Sequence, residues 1–104
     1  MINLEYGTRE EIMNTLQQSF HSLMDTYKLE DIGLFEEQGP NGEYYIGYTL
    51  NQNGGTYMLH QTYKTNHDGQ FGLINKDWTI ETDEPNFDDK KGYGSIEEAF
   101  QQLH

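Results

Sequence analysis

Residues 32–64 read IGLFEEQGPNGEYYIGYTLNQNGGTYMLHQTYK, and in this stretch tyrosine, isoleucine and threonine alternate with polar residues at a period of two, broken by glycine-containing turns. Such alternation marks strands with one buried face. Pro40-Asn41-Gly42 presets a type I turn at Pro40 and supplies a left-handed residue at Gly42, which favours a three-residue loop with a bulge. That loop sets Leu34 opposite Tyr48 and Ile32 opposite Leu50. Asn53-Gly54 is the strongest two-residue hairpin signal, and a type I′ turn centred on it sets Leu50 opposite Tyr57 and Tyr48 opposite Leu59. A slip of one residue would turn Leu59 and Tyr57 away from Ile46 and Tyr48, so turn chemistry and hydrophobic pattern agree on one register.

This register divides the residues into two faces. The inner face carries Ile32, Leu34, Tyr44, Ile46, Tyr48, Leu50, Tyr57, Leu59 and Tyr63, apolar enough to require helices as cover. The outer face carries Gly33, Phe35, Tyr45, Gly47, Thr49, Met58, His60, Thr62 and Lys64, with Phe35, Gly47 and His60 in one cross-strand row. Phe35 either covers the bare backbone of Gly47 or joins Tyr45, Met58 and His60 in an apolar patch on a polar face, the kind of patch that marks a partner surface. Phe35, Tyr45, Met58 and His60 are therefore the candidate partner surface.

Working outward, Thr8 and Glu11 form a capping box that opens a helix. Ile12, Met13, Leu16, Phe20, Leu23, Met24 and Tyr27 recur at spacings of three and four, one apolar stripe reaching about Lys28. Asp68-Gly69 marks a third turn, and Trp78 and Ile80 alternating with Thr79 and Glu81 place a last strand at Asp77 to Thr82, with Asn66 to Lys76 read as connecting chain. Asp83 to Gly94, rich in charge and glycine, is expected to run over the surface as a long connection. Ser95 and Glu98 open a closing helix with Ile96, Ala99, Phe100 and Leu103 on one face. The expected architecture is α+β in class: an antiparallel four-stranded meander sheet with two helices on one face, in the order α-β-β-β-β-α, as a single domain over residues 1–104.

Composition excludes several function classes. Eighteen Asp and Glu against six Lys and Arg give a formal charge of −12, which repels phosphate backbones and anionic headgroups, so neither direct nucleic-acid binding nor membrane attachment is expected. No apolar run reaches the ~20 residues of a membrane span. The absence of cysteine rules out thiolate chemistry and fits a cytoplasmic protein.

Catalytic and metal motifs are equally absent from the sequence. Ser19 and Ser22 lie in the first helical pattern, Ser95 is a cap, and no Gly-x-Ser-x-Gly elbow surrounds them. His21, His60, His67 and His104 are dispersed, without His-Glu-x-x-His spacing. Asp83, Glu84, Asp88 and Asp89 lack the order of a calcium loop. Glu36 and Glu37 are adjacent on a strand and point to opposite faces, so they cannot converge as an acid and base. No catalytic residue, cofactor or metal is expected.

The stretch Trp78-Thr79-Ile80-Glu81-Thr82-Asp83-Glu84-Pro85, with Gly92-Tyr93-Gly94-Ser95-Ile96-Glu97-Glu98-Ala99-Phe100, resembles the ends of small acidic bacterial proteins without an assigned function. The element order resembles that of the double-stranded-RNA-binding domain, but Ser95-Ile96-Glu97-Glu98 stands where that fold places phosphate-binding lysines. The leading expectation is a non-enzymatic interaction domain that meets an unknown protein partner or forms a homodimer. Alternatives are an acidic mimic of nucleic acid that occupies a basic protein, and a small ligand carrier or enzyme using Tyr44, Tyr48, Tyr57 and Tyr63.

Overall fold

The computed structural model describes residues 6–82 and 90–103. Both hairpins that the turn residues predict are present in the predicted register. β2 (Asp31–Gln38) lies antiparallel to β3 (Glu43–Gln52), with Leu34 opposite Tyr48 and Phe35 opposite Gly47. β3 pairs in turn with β4 (Gly55–Thr65), with Leu50 opposite Tyr57 and Gly47 opposite His60. Asn53 and Gly54 both take positive φ, 53° and 80°, as a type I′ turn requires. The first turn has the expected length but a different conformation. Asn41 is itself left-handed at φ 58°, a conformation asparagine tolerates better than most residues, so the turn at Pro40 is not type I.

The sheet is larger than a four-stranded meander. Among the described residues it has six strands, in the order β1 (Tyr6–Gly7), β5 (Phe71–Thr82), β4, β3 and β2, with β6 (Lys90–Tyr93) also paired to β5. β5 runs from Phe71 to Thr82, so the chain from Phe71 to Lys76 is strand rather than connection. It begins early because Asn66 closes a tight turn by itself: its Oδ1 accepts from the Asp68 and Gln70 amides at 2.9 and 3.0 Å, and Gly69 supplies a positive φ. One edge of β5 pairs with β4. The other is shared by β1 (Tyr6–Gly7), opposite Gly72 and Phe71, and by β6 (Lys90–Tyr93), where Trp78 faces Tyr93. Lys90 to Tyr93 is thus a strand, not part of a surface connection, and residues 83–89, including Asp83, Glu84, Asp88 and Asp89, lie outside the described residues.

A bulge in β5 decides which side chains reach the core. Between the pairs His60–Thr79 and Thr62–Asn75, Gln61 of β4 faces Lys76, Asp77 and Trp78 of β5, and Ile74 is extra before the pair Tyr63–Leu73. An odd number of additional residues reverses the face on which each side chain stands. Phe71 and Leu73 below the bulge, and Trp78 and Ile80 above it, therefore all reach the same inner face despite opposite parity. The bulged backbone is satisfied locally: Gln61 Nε2 donates to the Lys76 carbonyl at 2.8 Å, and the Asp77 amide donates to Asn75 Oδ1 at 2.9 Å.

The inner face is covered by helices. Thr8 caps α1 (Arg9–Gln18) through the full box with Glu11. The helix expected to run on to Lys28 breaks at Ser19 and resumes as α2 (Phe20–Tyr27). The break coincides with a side-chain intrusion: the Tyr48 hydroxyl donates to the Leu16 carbonyl at 3.0 Å, a known way of interrupting the helical ladder. α3 (Ile96–Gln101) is capped by Ser95, while Glu98 takes the Gly94 amide instead of completing the box on Ser95.

Leu16, Phe20, Leu23, Met24 and Tyr27 close over a core of Tyr48, Leu50, Leu59, Trp78, Ile80, Ala99, Phe100 and Leu103, and Met13, Ile46 and Phe71 form a second cluster. Tyr27 stacks on Phe100 at 4.1 Å, joining α2 to α3. No helix among the described residues is long and apolar enough to cross a membrane. Because Phe100 is wholly buried, Phe100→Ala should lower the unfolding free energy by ~3 to 5 kcal/mol in urea denaturation; a loss under about 0.5 kcal/mol would mean that α3 is only loosely docked.

Candidate functional site: the outer sheet face around His60

On the outer face, two strands bring their rings together over a third. β2 and β4 flank β3, and strands two apart stand roughly 9.5 Å from one another. The Phe35 and His60 rings nevertheless stack with centroids 5.5 Å apart, so both lean inward over Gly47. Gly47 has no substitute there. A Cβ on it would lie 1.9 Å from the Leu59 carbonyl oxygen and 2.7 Å from the His60 Cα. The glycine thus does two things: it lets β3 and β4 approach, and it leaves the surface above it bare for the two rings.

Tyr45 closes on His60 from a third direction, with ring centroids 5.1 Å apart and a 43° tilt. Phe35 and Tyr45 remain half-buried, but His60 between them is only 4 % exposed. Met58 stands on the same face in the adjacent row, between Thr49 and Glu81. Of the four residues expected to form a patch, Phe35, Tyr45 and His60 share ring contacts, and Met58 borders them by register.

Sequence reasoning missed the polar half of this site. Glu81 Oε1 lies 3.3 Å from His60 Nε2, and neither ring nitrogen makes a well-directed hydrogen bond to another residue. Beside the imidazole, next to the β5 bulge, lies a cleft of about 570 Å³ lined by Glu43, Tyr45, His60, Thr62, Ile74, Asn75, Thr79 and Glu81. The outward parity of Thr79 and Glu81 is readable from their alternation with Trp78 and Ile80. What brings them to His60 is the β4–β5 register, and the bulge hides it. Among the described residues no three His, Asp or Glu side chains converge as a metal site.

The inner-face tyrosines have separate roles. Tyr48 is committed to the Leu16 carbonyl and stacks on Trp78, and Tyr44 stacks on Phe71. Burial pushes the Tyr48 and Tyr63 hydroxyls above their ordinary pKa values, for Tyr48 against the opposing effect of a hydrogen bond to Ser19. Of the four, Tyr63 lines an open groove of about 420 Å³ beside α1, shared with Tyr6, Ile12, Leu16 and Phe71. The four hydroxyls do not converge on that space.

On the described outer face one imidazole and two carboxylates, those of Glu43 and Glu81, stand beside two aromatic rings. These groups can recognise a ligand by hydrogen bonding, charge and stacking. The backbone constraint beneath them is testable. Gly47→Ala should cost more than about 2 kcal/mol in urea denaturation, because the backbone of β4 must move. Gly33→Ala, whose Cβ meets a Thr49 methyl at 3.3 Å, should cost under about 1 kcal/mol by comparison.

A family model described as a family of unknown function (DUF5634) matches residues 6–103. The chain belongs to that family. No curated protein matches it.

Proposed function

We propose that this member of the family is a non-enzymatic interaction domain that docks a basic protein partner on its outer sheet face, around Phe35, Tyr45, Met58 and His60. One observation carries the reading. A histidine is nine-tenths buried, without a well-directed hydrogen bond, on the sheet face opposite the one where the helix residues cluster. A buried polar group left in this way costs roughly 1–3 kcal/mol, a cost that a bound partner supplying the missing hydrogen bonds would remove. Aromatic rings around such a group are the side chains most enriched where interfaces concentrate their binding energy.

Charge selects the kind of partner. With a formal charge of −12 and Glu43 and Glu81 in the cleft, a second copy of this chain would be repelled, whereas a basic surface would be drawn in. The same charge supports the narrower possibility that the partner is a nucleic-acid-binding protein whose site these carboxylates occupy. The setting we infer is the bacterial cytoplasm, supported by the resemblance of the chain's end to small acidic bacterial proteins and by the lack of cysteine.

The test is a double variant, Phe35→Ser with Met58→Ser, compared with wild type by light scattering and by affinity capture of basic proteins from the native cell. The variant should stay folded and lose the captured basic proteins, and both forms should scatter as monomers. An unchanged partner list would reduce the rings to a cover for Gly47, and a dimeric mass that the double variant abolishes would assign the face to self-association.

A further inference from the structure

Resting on that reading, we infer that the cleft between His60, Glu81, Glu43 and Tyr45 is a seat for a guanidinium group, so that the partner inserts an arginine side chain there. The inference begins with donors and acceptors. A neutral imidazole has one of each, and a carboxylate only accepts. Neither imidazole nitrogen makes a well-directed hydrogen bond, with Glu81 Oε1 standing 3.3 Å from Nε2, so whichever nitrogen lacks the proton is an unused lone-pair acceptor. The second Glu81 oxygen and both oxygens of Glu43 are acceptors too. Asn75 Oδ1 is already occupied by the Asp77 amide, and the Thr62 and Thr79 hydroxyls can serve either way. The cleft therefore presents an excess of acceptors and negative charge, and its complement is a cation with several N–H groups.

Shape narrows the choice between the two basic side chains. The cleft is broad, about 570 Å³, and one wall is the Tyr45 ring, tilted against the buried imidazole. Guanidinium is planar, stacks on aromatic faces and spreads five donors over a fixed fork, whereas an ammonium is a compact, strongly hydrated point charge. Acceptors on separate strands, Glu43 on β3 and Glu81 on β5, suit the wider group. Ile74 in the lining, one of two large apolar residues exposed among the described residues, can pack along the methylene stem of an arginine.

The acidic residues alone would not carry this inference, because carboxylates on an acidic protein are ordinary. The buried imidazole makes the difference: it is held in place by two rings and lacks a well-directed partner of its own.

The experiment uses the whole chain and a small probe. Nuclear magnetic resonance titration with N-acetyl-arginine-N-methylamide should shift the signals of Tyr45, His60 and Glu81 along a saturating curve. The matched citrulline compound, neutral and nearly isosteric, should leave them in place. Glu81→Gln keeps the shape of the side chain and should weaken the arginine probe about tenfold. Glu97→Gln on α3 makes the same change of charge elsewhere and should leave affinity within about twofold, because exposed charges far from the site are screened.

Equal responses to arginine and citrulline would overturn the inference, as would equal losses in the two glutamine variants, which would mean that the general field of the protein attracts the probe. If arginine fails to saturate while Phe35→Ser with Met58→Ser still abolishes basic-partner binding, the guanidinium seat is wrong and the docking face stands. If arginine saturates and that double variant keeps its partners, the seat is real and the wider docking face is wrong.

Discussion

The bulge in β5 is the constraint on which the rest depends. A strand alternates its side chains strictly, so a regular β5 paired to β4 at Leu59–Ile80 would send Phe71 and Leu73 outward and strip the Met13, Ile46 and Phe71 cluster of its largest side chain. Three extra residues, two where Gln61 faces Lys76 to Trp78 and one at Ile74, reverse that parity. Both ends of the strand then face the helices. The outer face meets the same irregularity, since Ile74, Asn75 and Thr79 at its edges line the cleft beside His60. Core and candidate site are in this sense two sides of one irregularity, in keeping with the tendency of bulges to stand beside functional sites.

A second local device acts between β3 and β4. Gly47 draws β3 and β4 together at the row that β5 continues with Thr79, and above it Phe35 and His60 lean into contact. The imidazole is therefore buried by rings on a face that would otherwise leave it in water. Rings alone cannot satisfy its nitrogens, and the nearby Glu81 adds charge rather than a well-directed hydrogen bond. The sum is a rigid apolar frame around an unsatisfied polar centre, set in a strongly acidic protein. In the function we propose, charge selects what such a frame accepts, because the field of an acidic protein favours a cation before any contact is made.

Much of this was legible in the sequence, for reasons that can be named. Asn53-Gly54 fixes a turn whose backbone almost no other pair adopts, and the alternation on either side permits one register only. Thr8 with Glu11, and Ser95 ahead of Glu98, mark helix starts by chemistry rather than by propensity. The row of Phe35, Gly47 and His60 followed directly. What stayed hidden lacks a period. Tyr6–Gly7 is too short to show one, and Lys90–Tyr93 carries charge and glycine where a strand usually shows branched apolar residues. β5 escaped over half its length because the bulge breaks the alternation at Ile74 to Trp78, so the segment reads as connecting chain. The break at Ser19 coincides with a hydroxyl from Tyr48, a contact between elements far apart in sequence. Glu81 was visible as an outward residue but could not be placed beside His60 without the register that the bulge conceals.

The inner-face core and the outer-face site both depend on how β4 and β5 are paired. Cross-strand nuclear Overhauser effects between backbone α-protons in solution measure this without reference to any ligand. Contacts from Leu59 to Ile80 together with contacts from Tyr63 to Leu73 are the predicted result. Contacts from Tyr63 to Lys76, which an unbroken register continued from His60–Thr79 would produce, would contradict it, removing both the reversal of parity and the cleft.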